Sequence, residues 1–136
     1  MNSELIKAFL DKRNVFAVVG ASRDPGKFGF QVYKDLKSAG YKVYAVNPNS
    51  KEILGDKCYS SLKDLPVKPD VVDVVVSPKA TEQTVETCRI LGITKVWLQP
   101  GSETDETVRF CTDNNIDVVY GACVMIERAK HKSNSQ

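Results

Sequence analysis

Apolar positions along this chain recur with two periods that take turns. Leu5, Ile6, Phe9 and Leu10 share one face of a helix predicted over residues 3–12, with Ser3 placed to cap it. Residues 14–20, NVFAVVG, are a short β-branched run, followed by a glycine-rich loop and a helical stretch that Gly40 terminates. Residues 42–47, KVYAVN, give a second strand stopped by Pro48, closing a βαβ unit with a right-handed crossover. Residues 53–59 suit a small edge strand and 61–65 a helical turn before Pro66. The valine run at 71–76 has the composition of a strand buried on both faces. Helix 80–91, strand 95–99, helix 104–114 and strand 117–120 continue the alternation, before GACVMIERAK, to which the pattern assigns no element. The prediction is an α/β fold: a single doubly wound, mostly parallel Rossmann-like sheet with helices on both faces. Such sheets bind ligands outside the carboxyl ends of their strands, at the switch point.

Composition narrows the setting. A chain of 136 residues with 42% hydrophobic and 26% charged positions suits one ordinary domain with its own core. That domain is expected over residues 1–128, with 129–136 (AKHKSNSQ) as a polar, disordered tail. No run approaches the roughly 20 apolar residues that cross a bilayer, and no signal peptide is evident, so a cytoplasmic protein without a membrane partner is expected. Nineteen Lys+Arg against 17 Asp+Glu leave a net charge of +2, and the charges are scattered, which argues against a nucleic-acid surface. The four cysteines are far apart and the single histidine, His131, lies in the tail, so neither a disulfide framework nor a metal site is expected.

Candidate chemistry gathers in GASRDPGKFG, residues 20–29, which leaves the first strand and enters the following helix. Gly20, Gly26 and Gly29 permit close backbone approach, the unpaired amides of a helix start attract an anion, and Ser22 and Lys27 add a donor and a charge. Phe28, next to Lys27, is also a candidate binding residue, with a place in the core or an interface as the bland alternative. The bland alternative is a βα turn whose glycines serve geometry alone. The loop is neither GxGxxG nor a P-loop, since Phe28 follows Lys27. At the end of the second strand, where NAD sites place a carboxylate for the ribose, stands Asn47-Pro48-Asn49-Ser50-Lys51. Neutral amides and a lysine suit an extra ribose phosphate, hence NADP or coenzyme A, although a plain Asn-Pro turn has the same spelling.

With AVNPN, ILGDKCYSSLKDLP, VVDVVVSP, KVWLQPGSE and GACVMIE following in order, the chain resembles the stand-alone coenzyme A-binding Rossmann proteins. These are similar to the N-terminal domain of the succinyl-CoA synthetase alpha subunit. The resemblance implies that Gly20, Ala21, Ser22, Lys27 and Gly29 line the diphosphate, and that Asn47, Pro48 and Lys51 border the 3′-phosphate-ribose. It implies adenine beside Ser77 and Pro78, and the pantetheine arm facing Gln99, Pro100 and Gly101. Ser60 departs from the family pattern, where proline is common, and so does Arg128, where histidine is frequent. The function implied is binding of coenzyme A or an acyl-CoA with no intrinsic catalysis evident, since the synthetase's phosphohistidine belongs to a second domain. A protein partner or a homo-oligomer stays open. The alternatives are an NADP-dependent oxidoreductase, for which no proton donor is visible, and a ligand-sensing interaction module. Among the remaining residues, Asp73 is read as structural and Trp97, Tyr41 and Tyr44 as core or interface. Glu127 and Arg128 are read as an ion pair, and Cys123 as a candidate for a mixed disulfide with the pantetheine thiol.

Overall fold

A strand covered on both faces has no need of polar alternation, and the valine run supplies that strand. In the computed structural model, which describes residues 3–134 and side chains through residue 131, β5 (Val71–Val74) is buried at all four positions. It pairs in parallel with β1 (Val15–Val19) on one side and β6 (Lys95–Leu98) on the other. Beyond β1 come β2 (Lys42–Val46), β4 (Asp56–Tyr59) and β3 (Glu52–Ile53), and beyond β6 comes β7 (Asp117–Val119). The order is β3-β4-β2-β1-β5-β6-β7, parallel throughout except for the β3-β4 pair. The predicted edge strand is thus an antiparallel hairpin, because Leu54 and Gly55 both take positive φ, 52° and 79°, and turn the chain within two residues.

Successive strand residues point to opposite faces, so the core divides in two. On one face α1 (Ser3–Phe9), α2 (Phe28–Ser38) and α5 (Val124–Asn134) cover Phe16, Val18, Val71, Trp97 and Val119. On the other, α3 (Pro78–Leu91) and α4 (Asp105–Asp113) cover Ala17, Val72, Val74, Val96 and Leu98. The chain is therefore a single Rossmann-like α/β domain with helices on both faces. No helix among the described residues is long and apolar enough to cross a membrane.

Helix ends follow side-chain chemistry. The Ser77 hydroxyl accepts from Ala80 N and Pro78 occupies the first turn, so α3 starts two residues before the predicted position. Thr104 and Thr107 form a reciprocal capping box on α4.

One reading is corrected at the carboxyl terminus. Arg128 pairs not with its neighbour Glu127 but across the domain with Asp35 of α2, through Nε at 2.9 Å and a terminal nitrogen at 2.7 Å. Glu127 faces Lys130 one turn on, at 3.5 Å. The helix α5 runs to Asn134, and residues 135 and 136 lie outside the described residues. A 93-residue separation hides the Asp35–Arg128 pair from any local pattern.

Candidate functional site

The chain doubles back around β1 and β5, and the carboxyl ends of these strands meet there in a pocket of about 570 Å³. Parallel strands that send their crossovers to opposite sides leave this crevice open, the usual place for a ligand in such a sheet. Its walls come from β1 and its loop (Val19, Gly20, Ser22, Lys27), from the end of β2 (Val46 to Asn49), and from Val75 to Ser77 after β5. Residues 60–62, at the start of the 3₁₀ turn Leu62–Asp64, and α3, which packs on that turn, complete the lining.

Gly20 sits at φ +101°, and a β-carbon there would fall 2.2 Å from the Val75 carbonyl oxygen. A β-carbon on Gly29 would fall 2.0 Å from the Gly20 carbonyl oxygen, so the start of α2 lies directly against the end of β1. Gly26 has room for a methyl group, and its N–H donates to Asp24 Oδ1 at 2.9 Å. Lys27 precedes α2 in extended conformation with no side-chain cap, which leaves the first-turn amides of Phe28 and Gly29 free of intrahelical acceptors. Ser22 Oγ accepts from Asp24 N at 3.0 Å and keeps its own proton for a ligand. Lys27 is the one charged side chain lining the pocket among the described residues.

Of the residues singled out in the sequence, Gly20, Ser22, Lys27, Asn47, Pro48 and Ser77 come together here. Ala21 and Gly29 are buried behind the loop, and Phe28 is exposed at the start of α2. Asn47 clamps two loops: its Nδ2 donates to Ala21 O at 2.7 Å and its Oδ1 accepts from Asn49 N at 2.8 Å. Lys51 and Pro78 are exposed just outside the lining.

Gln99, Pro100 and Gly101 lie apart from the pocket lining. Pro100 and Gly101 are exposed, whereas the Gln99 side chain is fully buried; its Nε2 donates to Asp73 Oδ1 at 2.6 Å, and its Oε1 accepts from Val124 N at 3.1 Å. Gln99 thereby ties the middle of the sheet to the first turn of α5. Asp73 Oδ2 has no partner, and burial pushes this carboxyl up to about 7 despite the opposing Gln99 bond. Cys123, half-buried, immediately precedes α5, which packs on the α2 face, whereas the pocket wall α3 is on the other. Burial holds the Cys88 thiol up at about 12 and the Cys111 thiol up at about 11.

Sequence reasoning missed a second wall. Ala80, Gln83, Thr84 and Thr87 of α3 line the pocket, as do Ser60, Ser61 and Leu62. The signal was present as an i, i+3, i+4, i+7 stripe in the helix predicted over residues 80–91, but three of its four members are polar and mark no apolar face.

Comparison with known proteins is consistent with this geometry. Residues 14–129 match the family described as CoA binding domain. Acetate--CoA ligase [ADP-forming] II subunit alpha of Pyrococcus furiosus is 40% identical over 90 residues, 65% of this chain and 20% of that subunit. This chain thus spans about a fifth of the ligase subunit's length. The Bacillus subtilis protein YneT is 30% identical over 131 residues, 93% of this chain and 94% of its own. Among solved structures, a protein from Pyrococcus horikoshii OT3 superimposes with a TM-score of 0.91 at 36% identity, covering 97% of this chain and 93% of the other.

Proposed function

The chain belongs to the CoA binding domain family, and from that premise we propose that it binds coenzyme A or an acyl-CoA in the pocket between β1 and β5. The diphosphate rests on the start of α2, held by the backbone of residues 20–29, the Ser22 hydroxyl and Lys27. The observation that carries this reading is the charge layout of the crevice: Lys27 is its one charged side chain among the described residues, and no carboxylate stands at the end of β2 to repel a phosphorylated ribose. Pro48 and Asn49 border that ribose, and Lys51 stands just beyond. The chain's residues bind and orient the nucleotide and leave the pantetheine end free for a partner or acceptor.

Calorimetric titration of ligand-stripped protein with coenzyme A, dephospho-coenzyme A, NADP and NAD tests the reading. Coenzyme A should bind and the two nicotinamide dinucleotides should not. Binding of NADP with no response to coenzyme A overturns it. Lys27→Ala should weaken coenzyme A binding by about 1.5 to 3 kcal/mol, as expected for a hydrogen bond to a charged group, without lowering the melting temperature.

A further inference from the structure

The fully buried carboxyl of Asp73 has one oxygen engaged and one without a partner. By strand alternation it shares with Val71 and Trp97 the face that α1, α2 and α5 cover, and its neighbours in register are Val18 of β1 and Trp97 of β6. A backbone N–H can only donate. Val124 N therefore fixes the Gln99 amide, oxygen towards α5 and nitrogen towards Asp73. Asp73 Oδ1 is thereby held as an acceptor, and any proton on the carboxyl sits on the partnerless Oδ2. Neither protonation state is fully satisfied. Neutral, the group buries a hydroxyl without an acceptor; ionised, it buries a charge met by a single amide donor, which costs more. Burial accordingly raises the carboxyl to about 7, and only the Gln99 bond opposes that rise.

The charged groups of the surrounding elements are engaged or turned outward. On α5, Glu127 faces Lys130 and Arg128 pairs with Asp35; on α2, Tyr33 and Lys37 reach Asp56 and Lys34 is exposed. On α1, Glu4 and Lys7 are exposed, and on β6 Lys95 is half-buried at the strand's start. Cys123 immediately precedes α5, and His131 lies near its other end, where its charge acts on Asp11.

We propose that the Asp73–Gln99–Val124 chain is a proton-controlled latch on the first turn of α5: with the proton bound the turn is closed on the sheet, and on its loss Gln99 releases Val124 and water reaches Asp73. The α5 side is the way in. Val124 is fully buried, but Cys123 and Met125 beside it are half-buried, so solvent stands one residue from the link, whereas β1 and β6 flank Asp73 within the sheet. Trp97 holds Ala122 before the turn and Arg128 holds Asp35 after it, which confines the movement to residues 123–127. An opened Asp73 regains the ordinary carboxyl value near 4. The closed turn is thus most stable below about pH 4, weakens by up to about tenfold per pH unit above that, and levels off past about pH 7.

Amide hydrogen exchange on isotope-labelled protein from about pH 5 to 8, corrected for intrinsic exchange, tests the latch while the Asp73 carboxyl carbon is followed by NMR. Protection of the Val124 N–H should fall by about a hundredfold between about pH 5 and 7 and then hold steady. It should depend little on low urea, the mark of a local opening. Asp73→Asn, with no proton to lose, should show the same protection at every pH, and His131→Asn should behave as the parent. The parent decides even if a variant fails to fold: flat protection at Val124, or an Asp73 carbon that does not titrate in this range, ends the proposal. The same fall in Asp73→Asn, or its loss in His131→Asn, assigns the proton elsewhere and overturns it. Exchange at Val124 as sensitive to urea as that of the β5 amides makes the opening one of the whole domain, and overturns it too.

Discussion

A single methyl group added at Gly20 or Gly29 would land inside a carbonyl oxygen, so the approach of the β1 loop to the end of β5 and the approach of α2 to the β1 loop each depend on one hydrogen atom. Gly20→Ala and Gly29→Ala should each destabilise the domain by about 2 kcal/mol or more in urea unfolding, since backbone must move. Gly26→Ala, which meets only an aspartate oxygen at 3.4 Å, should unfold like the parent. Three glycines that look alike in the sequence thus have different duties, set for Gly20 by the distant Val75 carbonyl and for Gly29 by the carbonyl of Gly20 itself. Asp73 is the other residue whose role required the fold. Its carboxyl sits at about 7 in the folded chain and near 4 when unfolded, so the unfolded state releases its proton first. The stability this group contributes is therefore present below about pH 4 and lost as the pH rises through about 7. The stability of the parent relative to Asp73→Asn should fall by up to about 1.4 kcal/mol per pH unit between about pH 5 and 7, then level off. Chemical denaturation across that range reads it, and a flat difference would place the carboxyl elsewhere on the pH scale.

Elements with a strong period were legible. The four core strands, α2, α3 and α4 were all readable within a residue or two, because an apolar run or stripe of that length has one sensible burial. Two elements were not. The tight β3-β4 hairpin is a pair of very short strands, and its turn places Leu54, a residue with no preference for positive φ, where asparagine or glycine is usual. Leu54 is 45% exposed, so it gains little from packing. Leu54→Asn should therefore raise stability by about 0.5 to 1 kcal/mol in urea unfolding, part of the left-handed penalty of a branched side chain. The hairpin itself is held from α2, where Tyr33 OH and Lys37 Nζ both reach Asp56 Oδ2. The second hidden element, α5, is organised by distant partners: Gln99 at its first turn and Asp35 at its second. Neither partner is visible from the sequence of the helix.

For the molecule as a whole, alternation of strand and helix was enough to place the switch point, and with it the loop at residues 20–29. It was not enough to say which helix walls the pocket. The structure puts that wall on α3, while the Gln99 side chain joins the sheet to α5. With a net charge of only +2, the protein has little long-range field, and salt should act on ligand binding mainly through nearby groups. The affinity advantage of coenzyme A over dephospho-coenzyme A should shrink as salt is added, measured by calorimetry at low and high ionic strength. Unequal affinities that ignore salt would point to hydrogen bonds in place of charge. Trp97 is the chain's single tryptophan, fully buried on β6, edge-on to Phe9 and bonded through Nε1 to Ala122 O at 2.9 Å. It stands beside Asp73 in the neighbouring strand and on the opposite face from α3. The protein therefore carries a built-in fluorophore with a selective view: its emission should shift to the red on unfolding and respond to ionisation of the adjacent carboxyl, yet stay dark to the arrival of a nucleotide.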